Sequence, residues 1–285
     1  MNGPFAGRRL CIATMHGKER VIAPPLERLL GVHCELPPEG FDTDRFGTFS
    51  GEVVRRGTAR DAARAKAAAA MDAAGIDLAV ASEGSFGPHP HSFLLHVGAE
   101  LLLLVDRRLG LEITGEDVTA ETNHGGRVCS SLADATAFAG KVGFPEHALI
   151  VTVGEPPVRV WRGLGTEAAL RDAVAAAVAA SAANGLPWSV ASDMRADRNP
   201  TRMRAIGRAA ASLAERAATP CPGCATPGFG QVEVRRGLPC GDCGAPTAQV
   251  RALVHGCARC DERRELPRAD GATTASPAGC DVCNP

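Results

Sequence analysis

The sequence predicts an α/β fold, a mixed sheet flanked by helices, followed by a small C-terminal zinc-ribbon-like domain. Three observations predict it. Strand-length apolar runs alternate with helix patterns over residues 1–219. Two successive runs, "ELLLLVD" and "LEITGEDVTAET", look like antiparallel neighbours, so the sheet is not purely parallel. Eight of the 11 cysteines fall in four C-x-x-C pairs within residues 220–285, a proline- and glycine-rich stretch entered at "TPCPG" (219–223).

The elements follow in order. "LCIAT" (10–14) is a strand, then a polar turn leads to a short helix around 24–30, because Pro24 and Pro25 suit a first helical turn. "VHCEL" (32–36) is a second strand, and residues 37–52 form a loop with three acids before Glu52. "TARDAARAKAAAAMDAAG" opens with Thr58 and Asp61 in capping-box spacing and closes at Gly75. It leads into "IDLAVASEGSF" (76–86), where the apolar run stops at Ser82 and presents Glu83 on a glycine turn. "LLLLV" (101–105) is a buried strand bounded by Glu100 and Asp106. A helix starts near 131 at "SLAD", "HALIVTV" (147–153) is a strand, and "TEAALRDAVAAAVAASAAN" is a helix ending at Gly185. "PWSVAS" is a strand, and the last helix opens with Asn199 as N-cap and Pro200 as first residue.

Composition excludes several classes. A formal charge of −1 gives no global field toward nucleic acid or an anionic membrane. "LCIATM" is too short for a signal-peptide core and no run approaches a membrane span, so a cytoplasmic protein is expected. Cys11, Cys34 and Cys129 read as small core residues, and the heavy use of alanine as coding bias.

The tail pairs are Cys221/Cys224, Cys240/Cys243, Cys257/Cys260 and Cys280/Cys283. Each gives two thiolates from one tight turn, and two pairs complete a tetrahedral site, so two structural zinc ions are expected. A segment this poor in apolar side chains needs such a staple. The stretch "CGDCGAPTAQVRALVHGCARC" resembles a zinc ribbon, which favours a nested scheme with the outer pairs closing around the inner; pairing of sequence neighbours is the alternative. From 221 to 285 seven arginines balance seven acids, and each four-cysteine zinc adds about −2. With Phe229 as its one aromatic, the tail suits a protein partner better than nucleic acid.

Three stretches of the first domain carry candidate chemistry. "ATMHGKE" offers Thr14, His16, Gly17 and Lys18 beyond a strand end, a phosphate-binding set. Glu83 and Gly84 are the second. The third is "SDMRADRNPTRMR", where Asp193 ends a strand and Arg195, Arg198, Arg202 and Arg204 surround a helix start. His89, His91 and His96 in "GPHPHSFLLH" are irregularly spaced and read as loop residues rather than ligands of a transition metal.

Taken together these stretches resemble the inosine/xanthosine triphosphate pyrophosphatases. In that family a Thr-x-Asn-x-x-Lys-type loop binds phosphate, and a helix bearing an acid, an alanine and a base precedes an acid-glycine turn that holds magnesium. Thr14 and Lys18 match the loop, Asp61, Ala63 and Lys66 the helix, and Glu83-Gly84 the turn. The chain departs at His16, in place of the asparagine, in a loop shorter by one residue, at Pro24 and Pro25 in the helix that follows, and at Ser85, in place of a second glycine. The whole chain also looks like an uncharacterised family of bacterial proteins, which implies no activity. The resemblance implies a magnesium-dependent hydrolase of nucleotide-like phosphate anhydrides. Glu83 would hold the metal, Asp61 or an acid of the 42–52 loop would complete the shell or act as base, and Lys18, Thr14 and Lys66 would hold phosphate. Arg195 and Arg202 would contact phosphate or base. The alternative is a non-catalytic ligand-binding or protein-binding module with a zinc-ribbon interaction domain.

Overall fold

The computed structural model describes residues 3–46, 57–89 and 92–285, the side chains of Asp44, His89, Ser92, Phe93 and Leu94 excepted. Glu52 and His91 lie outside the described residues, as does the side chain of His89. The chain divides into two compact units, Phe5–Ala214 and a cysteine-rich unit over Glu215–Pro285.

In the first unit, β1 (Arg9–Ala13), α1 (Glu19–Leu30), β2 (His33–Glu35), α2 (Ala59–Ala74), β3 (Leu78–His89), β4 (Ser92–Asp106) and β5 (Leu111–Thr119) build one layer system. Among the described residues its sheet has the order β2-β1-β3-β4-β5. β2, β1 and β3 are parallel, and β3, β4 and β5 antiparallel, so the sheet is mixed as expected.

Each face has its own packing logic. Cys11, Ala13, Ala79, Ala81 and Leu103 meet Ala63, Ala67, Ala70 and Met71 of α2, all essentially buried. The alanines recur at helical spacing and let α2 sit close on the sheet, so here they are a packing face rather than a coding accident. The opposite face is covered by α1 and by α5 (Pro200–Ala218): a Cβ on Gly115 would overlap the Leu213 backbone, and one on Gly207 would lie 3.6 Å from Val21 Cβ. Asn199 Oδ1 accepts from Arg202 N at 3.0 Å, the N-cap read from the sequence.

Two expectations are corrected. α1 starts at Glu19, so Pro24 and Pro25 lie inside it rather than in its first turn. The lost backbone bonds are outweighed by burial of Ile22, Leu26 and Leu30. And β3 does not end at Ser82. Glu83 and Gly84 stay in the strand, paired with Leu101 and Glu100 of β4, and no turn forms there.

The same unit continues with β6 (Gly126–Cys129), α3 (Leu132–Val142), β7 (Leu149–Val153), β8 (Arg159–Leu164), α4 (Glu167–Asn184) and β9 (Trp188–Ser192). Their sheet has the order β6-β9-β7-β8, antiparallel throughout among the described residues. α3 and α4 cover one of its faces, with Phe138, Leu149, Val151, Leu170, Val174 and Trp188 in the core.

The cysteine-rich unit is a three-stranded antiparallel sheet among the described residues, β10 (Gly230–Arg236), β11 (Val250–Gly256) and β12 (Arg263–Pro267), in that order. Few apolar side chains are buried in it, notably Phe229, Leu238, Ala252 and Val254, while β12 is exposed along its length. No helix among the described residues is long and apolar enough to cross a membrane.

Candidate functional site

In the order β2-β1-β3 the chain leaves β1 toward β2 on one side and returns on the other, so the C-terminal end of β1 is a topological switch point. Ligands of open α/β sheets bind at such ends. The last β1–β3 pair is Ala13 with Ala81, so Ser82, Glu83 and Gly84 run past the end of β1.

A cluster of buried polar groups gathers there. Lys18 Nζ donates to Ser82 Oγ at 2.9 Å. On the other face Lys66, the one charged member of the buried stripe of α2, lies 2.5 Å from Glu83 Oε1. Glu100 stands opposite Gly84 on β4 and takes Arg202 Nε at 2.7 Å. Arg202 also donates to the Met194 carbonyl and lies over the Phe86 ring, 5.4 Å from its centre, with His124 stacked on that ring at 5.5 Å. Lys18, Lys66, Ser82, Glu83, Glu100 and Arg202 are all less than a tenth exposed. Gly84 is needed for this arrangement. A Cβ there would lie 2.6 Å from Arg202 Nη2 and 2.7 Å from Glu100 Oε1.

Three basic side chains thus face two carboxylates, so the cluster holds a surplus positive charge out of water whenever Lys18 is protonated. Burial pulls the Lys18 ammonium from 10.5 down to about 7, with Arg202 and Lys66 pushing the same way and Glu100 and Glu83 opposing. Between about 7 and 10.5 the unfolded chain keeps this proton while the folded chain sheds it, so stability contributed through Lys18 rises with pH across that window. Replacing Lys18 by Met is expected to flatten this rise. Urea unfolding followed by the fluorescence of Trp161 and Trp188, compared at pH 6 and 9, checks it; parallel curves for the two proteins would remove the buried-amine account.

The sequence-selected residues separate accordingly. Lys18, Lys66, Glu83, Gly84 and Arg202 come together, with Thr14 buried at the end of β1 and its Oγ1 accepting from His16 N at 3.3 Å. Asp61 does not join them. Its carboxylate takes Thr58 N and Oγ1 in the capping box and pairs with Arg64. His16 Nδ1 lies 3.7 Å from Asp197 Oδ1. The Arg195 guanidinium is held by the fully buried Asp193, which also accepts from Gly163 N, so Arg195 is part of that loop's frame.

The magnesium expectation finds no support. Among the described residues no three Asp, Glu, His or Cys groups gather around Glu83, and Lys66 is the cation already beside it. Ser82 and Glu100 were missed as site residues. The signal for Glu100 was present: residues 100, 102, 104 and 106 share one strand face, so an acid two residues from buried leucines is itself carried inside. Asp106, at the other end of that row, is buried against Arg8 at 2.6 Å. At that opposite end of the sheet lies an open depression lined by Arg8, Arg9, Arg107 and Arg108 with Asp72 and Asp77, in which Arg8 pairs with Asp77 and Arg107 with Asp72.

The cysteine-rich unit holds two clusters, Cys221/Cys224/Cys257/Cys260 and Cys240/Cys243/Cys280/Cys283, with ligand atoms within 4.8 Å of one another. The closest sulfur pairs are 3.6–3.8 Å apart. A tetrahedral zinc at ~2.3 Å from each sulfur requires about 3.8 Å between sulfurs, so each cluster can hold zinc. The pairing is interleaved, which corrects the nested scheme. Each strand of the sheet carries the chain from one end to the other, so successive C-x-x-C turns alternate ends, and first meets third, second meets fourth. The first two turns share the pattern P-C-x-x-C-x-x-P, and each closes with a bond from the cysteine's N–H to a carbonyl five residues on, at 2.8 Å. The Thr226 hydroxyl and amide lower the Cys224 thiol to about 6, and the amides of Cys243 and Asp242 lower Cys240 to about 7, while neighbouring cysteines raise Cys260 and Cys283, so without metal one thiolate in each cluster forms at the expense of another.

The chain belongs to the family described as a domain of unknown function, DUF6671, whose model matches residues 66–285. The matched span takes in Lys66, Glu83, Glu100, Arg202 and all eight tail cysteines, and begins after Thr14 and Lys18. Comparison with curated proteins gives no match. Nothing in these comparisons ties the chain to the inosine/xanthosine triphosphate pyrophosphatases.

Proposed function

We propose that the Phe5–Ala214 unit binds a small anionic ligand, a phosphorylated compound above all, at the end of β1, and that the zinc-loaded cysteine-rich unit contacts a protein partner. The observation that carries the ligand reading is the buried surplus of cations, Lys18, Lys66 and Arg202 against Glu83 and Glu100, at a switch point of the sheet. The surplus is complete only with Lys18 protonated, and a bound anion supplies the counter-charge that lets Lys18 keep that proton in the interior. A metal-dependent hydrolase is the weaker reading, because Lys66 takes the Glu83 oxygen that would face magnesium and Asp61 is engaged at its helix start. The partner reading for the tail rests on the net acidic charge it carries once zinc is bound and on its single aromatic.

Inorganic phosphate, pyrophosphate and nucleoside triphosphates are expected to raise the melting temperature of the zinc-replete protein, with chloride as the ionic-strength control. At one hundred times Kd the gain is about 2.7 kcal/mol. Lys18→Met should lose most of it. Absence of any shift up to high concentration would end the anion reading, whereas magnesium-dependent phosphate release that disappears in Glu83→Gln would restore the hydrolase.

A further inference from the structure

The chain has 31 lysines and arginines, of which lysine occupies only positions 18, 66 and 141, leaving 28 arginines. Where positive charge alone is wanted, this protein uses arginine. Arginine does not lose its proton in proteins and is no nucleophile, whereas a buried lysine readily becomes a free amine. Two of the three lysines nevertheless sit in the buried cluster at the end of β1. Lys66 is explained by its ion pair with Glu83, and Lys141 is an exposed residue in the last turn of α3. Lys18 has neither explanation. It is buried, and among the described residues its hydrogen bond goes to a neutral hydroxyl, Ser82 Oγ, rather than to a carboxylate.

We infer that Lys18 is a nucleophilic amine that forms an imine with a small carbonyl compound bearing a carboxylate or phosphate. The ligand's anionic group falls to Arg202 and Lys66, so the choice of substrate class rests on the anion reading above. The chemistry of the amine does not. The groups facing Lys18 are Ser82 and Glu83 from β3, Glu100 from β4, Lys66 from α2 and Arg202 from α5. Two of these are cations, and with burial they hold the amine near 7, so a large share is unprotonated at neutral pH. The neutral nitrogen adds its lone pair to the carbonyl carbon. One proton passes from nitrogen to the former carbonyl oxygen, giving a carbinolamine, and that hydroxyl takes the second nitrogen proton and leaves as water when the C=N bond forms. Amine and carbonyl give imine and water, with no change of oxidation state. Ser82 Oγ, 2.9 Å from Nζ, is placed to relay the proton between nitrogen and oxygen.

The test is reductive trapping on the full zinc-loaded chain, with pyruvate or glycolaldehyde phosphate as probe, unphosphorylated glycolaldehyde as the neutral control, and borohydride to fix the imine. Peptide mapping then reads each lysine, and Lys141 reports ordinary surface reactivity. Trapping is expected at least about tenfold faster at Lys18 than at Lys141, since the depressed amine has a far larger unprotonated fraction. It should vanish in Lys18→Arg and slow in the presence of inorganic phosphate. Labelling confined to Lys141 and the terminal amine of folded wild-type protein would overturn the inference without recourse to any variant. If phosphate stabilises the protein while Lys18 stays unlabelled, the imine falls and the anion site stands. If Lys18 reacts equally well with unphosphorylated glycolaldehyde and phosphate neither protects nor stabilises, the nucleophilic amine stands and the anion reading falls.

Discussion

Chelation of the purified protein is expected to release two zinc ions per chain and to unfold the cysteine-rich unit. The argument is energetic. Glu215–Pro285 buries few apolar side chains, and β10 and β12 are exposed over nearly their whole length. Apolar burial on this scale falls short of the ordering entropy of some 70 residues, at about 1.5 kcal/mol each. Structural zinc supplies roughly 10–16 kcal/mol per site in small domains, which makes metal binding and folding one event. The interleaved pairing gives a sharper form of the test. Cys221→Ser and Cys257→Ser damage the same cluster, so the double variant should still bind one zinc ion. Cys221→Ser with Cys280→Ser damages both clusters and should leave none. A nested ribbon would give the reverse, since there 221 and 280 share a site. Metal content by elemental analysis, normalised to protein, decides between them, and two retained zinc ions in either double variant would remove the four-cysteine assignment altogether.

How much of this was legible in the sequence depended on the range of the interactions. Caps, turns and strand-length runs are local, and Thr58 with Asp61, Asn199 with Pro200, and the four C-x-x-C turns fall where the sequence put them. The zinc ligand set was readable for the same reason. Their pairing was not, because it depends on the number of strands between turns, and β10 and β12 carry too few apolar residues to announce themselves. The site shows a similar limit. Lys18, Lys66, Glu83 and Arg202 were chosen from separate stretches, but nothing local says that Lys66 neutralises Glu83 or that Asp61 closes its own helix start. In the sequence the glycine after Glu83 reads as a turn because glycine more often makes turns than clearances. Its reason lies across the sheet, in Glu100, and beyond it in α5.

That clearance leads to the second large effect, which concerns the Glu100–Arg202 pair. Both side chains are about 2% exposed, and the guanidinium is divided between the carboxylate and the Met194 carbonyl. Removing either partner alone leaves a charge stranded in the interior, so Glu100→Gln or Arg202→Met is expected to cost about 3–5 kcal/mol. Gly84→Ala should destabilise through the same pair, because the added methyl would come within 2.7 Å of both groups and force them apart. The double replacement Glu100→Leu/Arg202→Met behaves differently. Removing both charges together relieves the desolvation penalty, and a packed apolar pair is often as stable as the ion pair or more so. Stability should therefore return toward wild type while binding of inorganic phosphate stays lost, since the net charge of the cluster is unchanged but the guanidinium that would meet the anion has been removed. Denaturant titration of the four variants beside phosphate-induced stabilisation separates the roles. A single variant costing under about 1 kcal/mol would show the pair behaving as an exposed one and sink the buried-charge argument. Recovery of both stability and phosphate response in the double variant would move the anion away from Arg202. Stability restored without the phosphate response would mean that this arginine is kept inside the protein for its ligand rather than for its fold.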